Sequence, residues 1–460
     1  MTGHGSRKRG LNDHESEFNR SGRKNKRSKK YNESSGHRRS KLLSNEHNGK
    51  ISTKGSINSS SQNEVEDEDH LQIHPGQMLD NRLIVRRLLG TGTFGKVWEA
   101  TDTKHGDIVA VKCIRKISRY IKNAKIEEGI LRQAYRDQKA ANVDLLVTLY
   151  TTIWHDGHFC MVFEPLGKSL LDYVMINDYR GFPFNYVRRI SAQLFSALDF
   201  IHMHGLIHTD IKLENVLFLP GEDVFVDTEV MHRNEDGRLQ NNPRRVSQLP
   251  KFANIKIIDF GGATYNNAHK TSIINTRQYR GPEVTLELDW SYPSDIWSAA
   301  CVIAEIFNGE LLFSTHDSLE HLAMMERAIG RFPDNMLRDS PCSRTFFDRD
   351  SGLIRTQLLS QSQRSAVAQM PLLADVCSTP TTCTGHTFGA HTLPGARLWA
   401  AVSDLSRLLW GVLRLDPVDR WSAREALAAH FFDDLEYSST YWNMVQAPTQ
   451  VLAPGAVSTN

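Results

Sequence analysis

Hydrophobic and polar residues change their spacing several times along this 460-residue chain, and each change marks a different kind of segment. Up to about residue 75 aliphatic positions are scarce, and Ser, Asn, Gly, Lys and Arg recur. Such a stretch cannot bury enough apolar surface to offset the entropy of ordering, so residues 1–75 are expected to form a disordered basic tail. From Leu83 the pattern alternates, and RLIVRRLLG, KVWEATD and DIVAVKCI each predict a strand. Between Pro183 and His204 the apolar positions Val187, Ile190, Leu194, Leu198 and Ile201 follow helical spacing instead. Strands first and helices later predict an α+β domain with a small β-rich lobe and a larger helical lobe. The stretch from Asp334 to Arg397 shows no sustained period. Its Ser/Thr/Gly/His-rich part, CSTPTTCTGHTFGAHT, marks it as a long surface insertion.

Charge sharpens this division. The formal net charge of +2 combines 14 Lys/Arg against 5 Asp/Glu in residues 1–50 with a net of −7 over residues 51–460. Arg7-Lys8-Arg9 and the run RKNKRSKK from Arg23 to Lys30 suit a nuclear-import signal or RNA contact, against the plainer alternative of a solvated tail. An acidic run from Glu64 to Asp69 closes the tail. The six cysteines make no disulfide framework. Cys160 and Cys301 sit in apolar runs as core residues, and Cys377, Cys383 and His386 lack the paired spacing of a metal site. With no apolar leader and no run approaching ~18 apolar residues, a soluble protein of a reducing compartment is expected.

Five short motifs carry chemistry. Gly90-Thr91-Gly92-Thr93-Phe94-Gly95 fits G-x-G-x-x-G, a pattern shared with dinucleotide-binding folds, which follow it with a helix. Here Lys96-Val97-Trp98-Glu99-Ala100 predicts a strand, so the glycines form a hairpin tip whose backbone N–H groups can approach phosphates. A glycine-rich hairpin without a ligand is the bland alternative. Lys112 ends the apolar strand Val109-Ala110-Val111 and needs an anionic partner, with Glu127 or Glu128 of IKNAKIEEGIL available to hold it. His208-Thr209-Asp210-Ile211-Lys212-Leu213-Glu214-Asn215 supplies Asp, Lys and Asn at the spacing of a kinase catalytic loop. Asp259-Phe260-Gly261 and Gly281-Pro282-Glu283 follow in order, and the order excludes chance. Phosphoryl transfer depends on positioning and charge neutralisation. In that scheme Lys112 grips the α/β-phosphates of ATP, Asn215 and Asp259 hold Mg²⁺, Asp210 orients the hydroxyl and accepts its proton, and Lys212 stabilises the transferring phosphate. Glu283 and Arg420 are candidates for a buried ion pair.

With these motifs the chain resembles the protein-kinase superfamily over residues 84–433, which implies the bilobal kinase fold with lobes at 84–163 and 167–433 and a tail at 434–460. Glu320 to Arg327, reading EHLAMMER, resembles the signature of the LAMMER or CDC-like kinases of the CMGC group. As a physical pattern alone it is an amphipathic helix whose Leu and Met residues pack. The resemblance implies ATP contacts from Leu89, Val97 and Ala110, a gatekeeper at Phe163, a hinge at Glu164-Pro165-Leu166 and a ribose contact at Asp172. It favours Glu127 over Glu128, places an extra hairpin at about 221–252, and makes Thr276 to Arg280 a substrate-docking segment in which Thr276 hydrogen-bonds near Asp210. Leu213, Gly281 and Thr209 depart from the usual Pro, Ala and Arg. The implied partners are Arg/Ser-rich splicing factors, phosphorylated on Ser or Thr in the nucleus or also the cytoplasm, with Tyr autophosphorylation left open. No membrane partner is expected, and nucleic acid only weakly through the tail. A pseudokinase scaffold would lack Lys112, Asp210, Asn215 or Asp259, and all four are present.

Overall fold

The alternation that begins at Leu83 becomes a twisted antiparallel sheet in the computed structural model. The structure describes residues 69–433 and 435, apart from 234–238, 242–244, 377–383, 389–390 and 393–394. Most of the basic tail, most of the C-terminal tail, Cys377 and Cys383 therefore lie outside the described residues.

The small lobe holds β1 (Met78–Leu79), β2 (Leu83–Gly92), β3 (Gly95–Asp102), β4 (Ile108–Ile114), β5 (Leu149–His155) and β6 (His158–Phe163), in the order β1-β2-β3-β4-β6-β5. Alternate residues such as Leu83, Val85, Trp98, Ala100, Val109 and Val111 bury one face, as a period of two demands. Leu71 and Ile73 join the same cluster. The expected disordered tail is shortened accordingly, because two aliphatic residues at alternate positions suffice to anchor that end of the chain. Helix α1 (Ser118–Ala141) buries Tyr120, Ala124, Glu127, Ile130, Leu131 and Ala134 at intervals of three and four. It ends at Asn142, whose φ of 53° is a left-handed cap that Asn tolerates.

The large lobe is built on α2 (Leu170–Ile176), α3 (Phe184–Met203), α4 (Pro293–Asn308), α5 (Ser318–Ile329) and α6 (Gly395–Val412). All five apolar positions predicted for α3 are buried, and α4 is buried on nearly every side. Residues Asp223–Arg233 pair antiparallel with Arg245–Pro250, forming the extra hairpin.

The stretch 334–397 differs from the expected surface insertion. Its described part contains short helices at Asp334–Asp339, Ser343–Phe346, Gln361–Gln369 and Leu373–Val376. Met336, Phe347, Leu359, Met370 and Leu373 are buried, four of them in the main core. Met336 and Leu373 lie on short helices, and Phe347, Leu359 and Met370 just past the ends of others, so no period survives long enough to be visible in sequence. Thr384–Phe388 adds a strand beside the hairpin. Among the described residues, no helix is long and apolar enough to cross a membrane.

Two short ladder strands, Val216–Phe218 and Ile255–Ile257, pair antiparallel on the floor between the lobes. The catalytic-loop motif precedes the first and Asp259 follows the second, so one ladder places both motifs side by side.

Candidate active site

Lys112 lies opposite Val97 on β3 and Met161 on β6. Its Nζ donates to both Glu127 oxygens at 2.9 and 3.0 Å and to Asp259 Oδ1 at 2.9 Å. Burial alone would lower the Lys112 pKa, but the charges of Asp259 and Glu127 outweigh it and raise it. The Lys112 ammonium holds Asp259 down to about 2, against the opposing effect of burial. Glu127 moves the other way, because its own desolvation exceeds the attraction of Lys112 and Asp259 adds repulsion. Glu128 pairs instead with Arg132 at 2.9 Å and accepts from Thr152 Oγ1 at 3.1 Å. The pair left open by spacing thus resolves to Glu127.

A second cluster surrounds Asp210. Thr276 donates to Asp210 Oδ1 from its hydroxyl at 2.8 Å and from its backbone N–H at 3.1 Å. Lys212 Nζ sits 2.7 Å from Asp210 Oδ2 and donates to Thr276 Oγ1 at 3.1 Å. Asn215 Nδ2 donates to the Asp210 carbonyl at 2.9 Å. Among the described residues, nothing donates to Asn215 Oδ1 or Asp259 Oδ2. These two hard oxygens fit a Mg²⁺ ion that takes few protein ligands and completes its shell with water and nucleotide phosphates. Among the described residues, no group of three or more His, Cys, Asp or Glu could hold a metal ion.

The loop carrying Asp210 is held from below by a residue that motif spacing missed. Asp295, buried in α4, accepts from the N–H groups of His208 and Thr209 at 2.8 and 2.9 Å and from His202 Nε2 at 3.0 Å. Two consecutive amides on one carboxylate stabilise Thr209 at φ 69°, a conformation a β-branched residue otherwise avoids. The sequence gives little signal for it, because Asp295 lies in the first turn of α4, where a carboxylate is ordinarily favoured.

The nucleotide side is more varied than its motif suggests. A Cβ on Gly90 would face open space and one on Gly92 would meet only the Gly95 carbonyl oxygen at 3.9 Å, but a Cβ on Gly95 would lie 2.0 Å from the Cys113 carbonyl oxygen. Gly95 therefore serves the close approach of β3 to β4. Leu89, Thr91, Thr93 and Phe94 are exposed at the hairpin, and Val97 and Ala110 are half-buried on β3 and β4. The Phe94 ring meets Tyr120 of α1 edge-on at 5.2 Å. Phe163 is buried at the end of β6. Glu164 N–H donates to Thr148 O at 3.0 Å, and among the described residues no hydrogen bond engages the Glu164 carbonyl or the Leu166 N–H. Asp172 commits Oδ2 to Ser169 at the start of α2, at 2.8 Å to N–H and 2.7 Å to the hydroxyl.

The protein kinase domain family matches residues 83–432. The serine/threonine-protein kinase AFC1 of Arabidopsis thaliana is 37% identical over 372 residues, spanning 80% of this chain and 74% of that one. The dual specificity protein kinase CLK2 of Homo sapiens is 38% identical over 288 residues, 62% of this chain and 55% of the human protein. The chain belongs to the LAMMER branch of the protein-kinase family. A crystal structure of a kinase domain matches this kinase with TM-score 0.67 at 31% identity, covering 80% of the chain and 100% of that domain.

The LAMMER helix α5 packs, as its pattern implies. Leu322, Met324 and Met325 are buried, and Glu320 turns back to accept from His316 N–H at 2.7 Å. Burial lowers the His321 pKa to about 3, with Arg280 and Arg277 adding to it, so the ring is neutral. Glu283 and Arg420 form the expected buried pair. Leu213 is fully buried, so its replacement of the usual Pro adds core contact. Tyr279 is buried and donates to Glu305 Oε2 at 2.6 Å, which removes it as a phosphate acceptor in this state.

Proposed function

We propose that this kinase transfers the γ-phosphate of ATP to Ser or Thr hydroxyls in Arg/Ser-rich splicing factors, and so regulates pre-mRNA splicing. The observation that carries the chemistry is the Asp210–Thr276–Lys212–Asn215 cluster. Asp210 orients the incoming hydroxyl and takes its proton as the oxygen bonds to the γ-phosphorus. The bond from that phosphorus to the β–γ bridging oxygen breaks, and ADP leaves. Lys212, already within reach of Asp210 and Thr276, lies where charge develops on the transferring group. Lys112 neutralises nucleotide phosphates, and the free hinge groups of Glu164 and Leu166 suit adenine. Asn215 and Asp259 would hold Mg²⁺, which would supply further charge neutralisation when bound. Support for the acceptor comes from relatives named serine/threonine and dual specificity protein kinases. The net charge of −7 over residues 51–460 favours a basic partner. Radiolabelled transfer to an Arg-Ser repeat peptide should exceed transfer to an acidic peptide by at least about tenfold, roughly 1.4 kcal/mol in the barrier. Equal labelling would overturn the substrate assignment, and no labelling of either would overturn the activity.

The basic clusters at Arg7 and Arg23 to Lys30 are proposed as the address that takes the kinase to the nucleus. Deleting residues 1–60 is expected to shift a fluorescent fusion to the cytoplasm while peptide phosphorylation stays within about twofold. A truncated protein that still concentrates in the nucleus contradicts the address.

Activity without an activation-loop phosphate is a further part of this proposal. Thr209 has no charge for a phosphate, and its hydroxyl donates to the Gly262 carbonyl at 2.9 Å. Its own carbonyl accepts from Asn275 N–H and Nδ2 at 2.9 and 3.0 Å. Arg280 donates to the carbonyls of Ile274 and Asn275 at 2.9 and 2.8 Å. Hydrogen bonds from Thr209, Asn275 and Arg280 to backbone carbonyls thus hold the segment that other kinases order with phosphate. Phosphatase-treated kinase, checked by intact mass, should keep its rate within about threefold. A loss above about tenfold, restored when Thr271 or Ser272 is phosphorylated again, would refute it.

A further inference from the structure

Lys256 is the one buried Lys among the described residues, 2% exposed, and the chemistry described above does not use it. It lies on the ladder strand Ile255–Ile257, opposite Leu217 and three residues before Asp259. Its Nζ donates to Glu164 Oε1 at 2.7 Å and pairs with Asp144. The same Glu164 oxygen accepts from the Thr148 N–H at 2.7 Å. The strand's backbone meets the same loop: Ile257 N–H donates to Leu145 O at 3.2 Å, and Val147 N–H to Ile257 O at 3.0 Å. One ammonium therefore touches the loop that follows α1, the hinge, and the strand that delivers Asp259.

A buried ion pair is weak evidence for stability, because an apolar side chain of similar size would fill the space without the desolvation cost. What the ammonium adds is direction. Its pull, with the Thr148 N–H, fixes the Glu164 carboxylate against the loop after α1 and the Asp259 strand. The hinge peptide is then fixed with its Glu164 carbonyl and Leu166 N–H unengaged. We infer that Lys256 is a positioning residue that holds the hinge in register with the Asp259 strand and so sets the affinity for the nucleotide. The inference rests on the hinge as the adenine contact.

Lys256→Met is expected to raise KM for ATP at least about fivefold, with kcat at saturating ATP within about twofold, because the Asp210 cluster is untouched. Asp144→Ala removes the exposed end of the triad, 68% exposed, where a pair counts for little, and should leave KM within about twofold. An unchanged KM in Lys256→Met, even with a lower melting temperature, would overturn the inference. A higher kcat would overturn it too, since the tie would then restrain turnover. The unaltered kinase provides a test that needs no variant: hydrogen exchange at the Thr148 amide should slow at least about fivefold at saturating Mg·ADP, and no slowing would count against the inference. Failure of the adenine assignment is distinct, because Mg·ADP would then bind the unaltered kinase without slowing exchange at the Leu166 amide.

Discussion

Asp210→Asn is expected to lower kcat for peptide phosphorylation by about 10²–10⁴-fold, the usual worth of a positioned general base. Affinity for Mg·ATP should stay within about threefold. The geometry makes this variant selective. An amide oxygen in the place of Oδ1 still accepts from the Thr276 hydroxyl and N–H, 2.8 and 3.1 Å away, so the loop keeps its shape. The carboxylate's charge toward Lys212 and its capacity to take a proton are lost. Of the groups assigned to Mg·ATP, Lys112, Asp259 and the hinge make no bond to Asp210, and Asn215 keeps its 2.9 Å bond to the Asp210 backbone carbonyl, which the substitution leaves in place. Steady-state rates at saturating peptide, paired with nucleotide titration, separate the two effects. A variant within about tenfold of the unaltered rate would remove Asp210 from the chemistry.

The largest stability effect is expected at Arg420→Ala, a loss of about 3–5 kcal/mol from breaking a buried pair on one side. Arg420 Nη1 and Nη2 donate to Glu283 Oε1 and Oε2 at 2.8 and 2.9 Å, and both side chains are 0% exposed. The guanidinium also reaches the carbonyls of Pro293, Arg414 and Leu415 at 2.8, 3.0 and 3.2 Å. Alanine would strand a carboxylate and three carbonyls in the core at once. Arg420→Lys keeps a charge but lacks the planar fork, so it should recover only part of the loss. Urea unfolding of the three proteins measures the differences. A loss below about 1 kcal/mol for the alanine variant would show that Glu283 finds other donors. Since Glu283 also lies at the end of the activation segment, the stability change should be accompanied by weaker activity.

Much of this site was legible in sequence because each motif is local. Asp210, Lys212 and Asn215 lie within six residues of one another, and Gly90 to Gly95 span a single hairpin. The parts that sequence spacing left unread depend on distant partners. Asp295 acts on His208 and Thr209 across 87 and 86 residues, and Lys256 meets Glu164 across 92. Glu127 and Glu128 are adjacent in sequence but face different partners, a difference of one step around the helix. The segment after α5 was opaque for another reason: Met336, Phe347 and Leu373 are single anchors in or just after separate short helices, so burial there has no period. Asp172 shows a third limit, since one carboxylate can match a family position and still spend one oxygen on a helix cap.

The three glycines of the G-x-G-x-x-G motif carry unequal information. Gly90 and Gly92 leave room above the hairpin, and a side chain there would compete with whatever lies over it. At position 95 the competitor is the protein's own backbone, since a Cβ would lie 2.0 Å from the Cys113 carbonyl. A third glycine in this pattern therefore testifies to how closely two strands run, and would be demanded by the sheet even in a relative that had lost its nucleotide.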